Sequence, residues 1–177
     1  MVDLAASGAT SSGAAGQPAS PAADGPATAD KYVCFRVSGQ EYAIAIASVK
    51  ETMMMVPITR VFLTPPWLAG IINLRGDIVA VLDLAQYLGL NTTAVTDRSR
   101  IIICRDRGRA LGLVVDEMAE LRTLAAAEIQ PPPSTITGDS AAVLAGVATI
   151  AGGAVRILAL TNLLESERLR AFQRKES

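Results

Sequence analysis

Ala69-Gly70-Ile71-Ile72-Asn73-Leu74-Arg75-Gly76-Asp77-Ile78-Val79-Ala80-Val81-Leu82-Asp83-Leu84 is the stretch that decides the fold of this 177-residue chain. Ile71 to Arg75 and Ile78 to Leu82 are runs rich in β-branched residues, and Gly76-Asp77 turns one back on the other. Asp83 is placed to cap a short helix through Leu88, with Gly89 as its stop. Upstream, Trp67 to Gly70 reads as a short helical turn closed by glycine. Pro57 and Pro65-Pro66 punctuate the approach.

The same texture extends in both directions. Tyr32 to Val37 is a strand with Val33, Phe35 and Val37 on one face. Ser38-Gly39-Gln40 turns it into a second extended run, Glu41 to Val49, with Tyr42, Ile44 and Ile46 aligned. Downstream, Arg100 to Cys104 and Ala110 to Val115 flank the polar turn Asp106 to Arg109, and Glu120 to Leu124 offers another strand. Pro131-Pro132-Pro133 must be loop. Ala142 to Ile150 and Ala154 to Leu160 form a hairpin about Gly152-Gly153. Asn162 to Lys175 reads as a polar-faced helix. Many short strands with Gly and Pro turns predict a mainly β fold of barrels rather than a βαβ sheet. Both halves share the hairpin-rich order, which permits two similar small barrels.

Residues 1–30 differ: Ala, Gly, Ser, Pro and Thr make up 23 of the 30, with no aromatic residue and no Lys or Arg. Such a stretch cannot offset its ordering entropy by burial, so it is expected to be a disordered tail. The folded domain is expected over 31–170, with a polar C-terminal end over 171–177.

Composition removes several function classes. The chain has no histidine, and with it go the commonest general base and every Ser-His-Asp or Cys-His mechanism. Cys34 and Cys104 lie 70 positions apart in apolar runs and read as buried thiols, not a redox pair. Basic and acidic residues number 16 and 17, which argues against nucleic acid as a partner. No GxxxxGK[ST], GxGxxG or GxSxG occurs. No run reaches the ~18 apolar residues that a membrane span needs. The N-terminus lacks the basic and apolar regions of a secretory signal, so a soluble, cytoplasmic protein is expected.

Asp116-Glu117 and Glu120 are carboxylates that read as a solvated turn rather than a metal site. Arg75-Gly76-Asp77 matches a cell-adhesion tripeptide by chance. Along a strand, Met53 and Met55 would point one way and Met54 the other, one side filling core and the other suited to a sticky surface. Glu51 and Arg75 are isolated charges beside apolar runs. If their strands are adjacent, they pair across them and set partner specificity more than stability.

Taken together, these residues resemble the CheW family of adaptors. The resemblance is carried by Ala69 to Leu84 with its Asn73-Leu74-Arg75-Gly76 core, and by the opening hairpin from Phe35 to Ile46. Val49-Lys50-Glu51, Ile58-Thr59-Arg60 with Pro65, Gly112 to Asp116, Pro131 to Ser134 and Gly146-Val147-Ala148 follow in the family's order. It covers about residues 31–169. It implies two small β-barrels side by side, with short helices, a C-terminal helix and a groove between the barrels. It also implies no catalysis, no cofactor and no metal. The implied partners are the cytoplasmic tip of a chemoreceptor, lying in the groove, and a CheA-type histidine kinase, whose regulatory domain meets a barrel end. Membrane association would be only indirect, through receptor arrays at the inner face. By motif match, Val49 and Glu51 fall where the family meets its partners, Arg75 beside that glutamate, and Leu121 at an apolar groove position. Gly70, Gly76 and Gly112 would serve structural turns, with Gly112 to Asp116 resembling a motif of the second barrel. The family usually has proline where this chain has Ala80, and often Asp or Asn where it has Ala159. Those departures, with the tail, suit a divergent adaptor in an accessory pathway such as pilus-based motility equally well.

Overall fold

A computed structural model describes residues 29–170. The expected tail, up to residue 28, and the polar end at 171–177 lie outside the described residues. The chain forms β1 (Ala29–Val37), β2 (Gln40–Ala45), β3 (Val49–Met54), β4 (Leu68–Leu74), β5 (Asp77–Asp83) and α1 (Leu84–Tyr87). It continues with β6 (Arg100–Asp106), β7 (Arg109–Val115), β8 (Glu117–Ala125), β9 (Ile129–Gln130), α2 (Asp139–Ala142), β10 (Leu144–Ile150), β11 (Gly153–Leu158) and α3 (Leu160–Glu165). Asp83 caps α1 as its sequence suggests, its Oδ1 accepting from the Gln86 amide at 3.2 Å.

The strands form two sheets. One has six strands in the order β8-β1-β2-β11-β10-β9, the other five in the order β3-β6-β7-β5-β4. The first hairpin, β1–β2, therefore joins the C-terminal strands through a parallel β2–β11 pair. The middle of the chain builds the other sheet, where β5 and β7 are parallel. Gly112, on β7, thus shares one sheet with Ala69 to Leu84 rather than standing in a barrel apart. Each sheet curls so that a single stretch of chain serves both edges. β8 runs through the 3₁₀ turn Ala126–Glu128 into β9. The chain leaving β3 reaches β4, where Thr59 and Ile71 exchange backbone hydrogen bonds of 2.9 and 2.8 Å.

The central strands β1, β2, β6 and β7 are apolar on both faces for a physical reason. Val33, Phe35, Val37, Tyr42 and Ile44 from one sheet meet Leu82, Ile102, Cys104, Leu111 and Leu113 from the other in a shared core. The opposite faces close on two smaller cores, around Cys34 and Ile157 in one sheet and around Val81 and Ile103 in the other. A strand buried on both sides reads as a continuous apolar run, and Ile101 to Cys104 are all fully buried.

Four element expectations are corrected. Trp67 to Gly70 is not a helical turn: Leu68 opens β4 opposite Leu82 and packs into the shared core. The run from Glu41 to Val49 is broken by a 3₁₀ turn, Ile46–Ser48, where the chain leaves one sheet for the other, so Ile46 is exposed. The strand expected from Ala142 begins at Leu144, after α2. The C-terminal helix breaks at Ser166, and residues 167–170 are helical again.

Candidate functional site

β3 and the β4–β5 turn bring Glu51 and Arg75 together, with Arg75 Nη2 donating to Glu51 Oε2 at 2.8 Å. Their strands are the two opposite edges of the five-stranded sheet, not neighbours, so the pair spans the mouth of a curled sheet. The turn is built for this: Arg75 and Gly76 have φ of 54° and 96°, and Asn73 Oδ1 accepts from the Gly76 amide at 2.8 Å. Glu51 Oε1 is buried without a hydrogen-bond partner, whereas the Arg75 side chain is 72% exposed. Arg105 reaches Asp77 at 3.9 Å at the same mouth.

Val49 begins β3 half-buried against the shared core, so part of its surface serves packing. Leu121 lies on β8 of the other sheet, opposite Val33 and 62% exposed. The fold thus unites Glu51 and Arg75 and leaves Leu121 on a separate sheet. Of the three glycines, only Gly76 sits in a turn. Gly70 lies within β4 at a register shift, with φ of 144°, and a Cβ there would overlap the Thr59 carbonyl that closes the sheet. Gly112 is inside β7, where a Cβ would press on Ile101 and Val81.

The acidic residues at the start of β8 are engaged rather than freely solvated. Asp116 accepts from the Ser38 amide at 2.6 Å, and Glu117 pairs with Arg36 at 3.0 Å and Arg98 at 3.1 Å. Arg122 pairs with Glu41 at 3.2 Å and Glu120 at 3.0 Å. These carboxylates tie β1, β2 and β8 together.

Methionine use divides by strand parity. Met53 and Met55 pack on the core of the five-stranded sheet, and Met54 is 68% exposed. Sequence reasoning missed Ile78, 65% exposed, and the loop residues Phe62 and Leu63, 95% and 98% exposed. For Ile78 strand parity gave no signal of exposure: it shares its face with Leu82, which is buried in the shared core, and it is open because it stands at the turn end of β5. For Phe62 and Leu63 no periodic pattern carried one.

Comparisons with known proteins agree on one family. The CheW-like domain family matches residues 31–168. The chain is similar to the chemotaxis protein CheW of Rhizobium meliloti, 30% identical over 141 residues, covering 80% of this chain and 91% of that protein. It is similar to protein FrzA of Myxococcus xanthus, 31% identical over 147 residues, covering 81% and 91%. Its fold resembles the crystal structure of the scaffolding protein TtCheW from Thermoanaerobacter tengcongensis. That match has a TM-score of 0.72 and 33% identity, and covers 80% of this chain and 96% of that one.

Proposed function

From the premise that this chain belongs to the CheW-like domain family, we propose that it is a non-catalytic adaptor. It couples chemoreceptors of the methyl-accepting type to a CheA-type histidine kinase. The observation that carries this reading is the Glu51–Arg75 pair. It sits at an exposed mouth of the five-stranded sheet, and both residues fall in the segments Val49-Lys50-Glu51 and Asn73-Leu74-Arg75-Gly76 that carry the resemblance to the family. The receptor's helical tip lays an apolar stripe in the groove between the sheets, as in helix-in-groove recognition. The kinase's regulatory domain meets a barrel end. Modest affinity per contact suffices where arrays are multivalent. The protein works in the cytoplasm, meets the membrane only through receptors, and needs neither cofactor nor nucleic acid.

The departures from the family pattern at Ala80 and Ala159 support a second reading, an adaptor of the same build in an accessory pathway such as pilus-based motility. It differs in partner identity, not in mechanism.

Equilibrium binding tests the site. Glu51→Ala weakens binding to a receptor cytoplasmic fragment or to the kinase by about tenfold, and the exchange of Glu51→Arg with Arg75→Glu restores part of the loss. Normal binding of both partners by Glu51→Ala contradicts the assignment.

A further inference from the structure

We infer that the cavity where β2, β11 and the chain leading into α2 meet is a binding site for a small organic acid, a carboxylate carried on an apolar body. The inference goes beyond the adaptor reading and does not depend on it.

Strand register builds the cavity. β11 runs parallel to β2, with Arg156 opposite Tyr42. Arg156 shares its face with Leu158, which is buried in the core between the sheets. Two residues earlier on the strand, Arg156 is only half-buried. The chain leading into α2 reaches over this place: Ile136 packs on the shared core, and Ser140 Oγ donates to the Leu88 carbonyl at 2.7 Å. Between strands and loop lies a cavity of about 300 Å³, the size at which ligand sites begin.

The polar groups in it are donors around one cation. The Arg156 guanidinium lies over the Tyr42 ring, 5.7 Å from its centre, and has no ion pair or hydrogen bond among the described residues. The ring takes one face of the guanidinium and leaves its N–H groups for a ligand. The Tyr42 hydroxyl donates to Gln40 Oε1 at 3.1 Å, which leaves the Gln40 amide nitrogen as a second donor. No Asp or Glu lines the cavity. The neighbouring carboxylates in the chain, Glu41 and Asp139, are held by Arg122 and Arg168. Leu88, Leu90 and Leu144 make the rest of the wall apolar.

These groups choose the ligand. A half-buried cation without a counter-ion, in a cavity without an acid, favours an anion. One guanidinium fork matches the two oxygens of a carboxylate, whereas a phosphate dianion would keep one charge uncompensated. The leucine wall matches an apolar body. With the loop closing one side, the space takes a free molecule more readily than a side chain fixed on a partner's helix.

The test titrates benzoate into the full chain and reads thermal unfolding and amide NMR shifts. Benzoate at about 10 mM raises the melting midpoint by at least about 2 °C. It also shifts the amides of Thr135, Ile136 and Thr137 saturably. Benzamide, the same shape without the charge, does neither. Arg156→Gln keeps a native-like midpoint and loses at least about fivefold in benzoate affinity, and Arg156→Lys, which keeps the charge without the fork, loses less. No effect of benzoate overturns the proposal. So does an equal effect of benzamide, of sodium chloride at matched ionic strength, or of benzoate on Arg156→Gln. Should Arg156→Gln fail to fold, benzoate shifts confined to amides away from residues 135–140 overturn it instead.

Discussion

Glu51 keeps one oxygen against Arg75 and the other buried without a hydrogen-bond partner. The pair with an exposed arginine contributes at most about 1 kcal/mol, whereas an unsatisfied buried acceptor costs about 1–3 kcal/mol. Glu51→Ala therefore leaves the urea midpoint unchanged or raises it, which makes its binding defect a readable one. Cys104 illustrates the opposite case. Burial pushes its thiol up to about 12 from 9.0, because a thiolate has no solvation there. The unfolded chain loses this proton first as pH rises. The stabilisation is thus complete below the unfolded value and is lost progressively as pH climbs toward the folded one. Burial raises Tyr42 and Tyr87 in the same sense. Two outcomes follow: the urea midpoint falls between about pH 9 and pH 11, and Cys104 resists iodoacetamide at about pH 8 until the chain unfolds. Rapid alkylation of Cys104 in the native protein contradicts the packing described for β6.

At the scale of elements, β4 depends on a missing side chain. Gly70→Ala places a Cβ against the Thr59 carbonyl and costs about 3 kcal/mol or more, whereas Gly76→Ala, with open space around it, costs about 1–2 kcal/mol for its positive φ. Equal urea midpoints for the two variants would contradict the closure of the sheet by residues near Thr59. The role of Gly70 was invisible in the sequence because its cause is a segment eleven residues away that returns to the strand edge. The paired strands about Gly76, the capping by Asp83 and the opening hairpin were legible, because local turn chemistry and alternation set them. The exchange of sheets between β2 and β3 was not. The strand that the chain leaves, β2, is buried on both faces and β3 has one exposed face, and neither pattern says which sheet receives the strand. Likewise the Glu51–Arg75 contact was readable as a pair, but its place across two sheet edges follows only from curvature.

The whole molecule is two curled sheets sharing one core. The shared core fixes the sheets against each other. Each sheet keeps an outer surface of its own, and the proposed adaptor role would use these surfaces for two partners. The most direct measurement is a co-sedimentation of this protein with the CheA-type kinase and receptor-bearing membranes of the same cell, reading kinase activity in the same tube. The account predicts that kinase sediments only when this protein is present, and that its activity then changes. Kinase sedimenting equally well without it, or this protein remaining in the supernatant while kinase and receptors associate through another adaptor, would contradict the account.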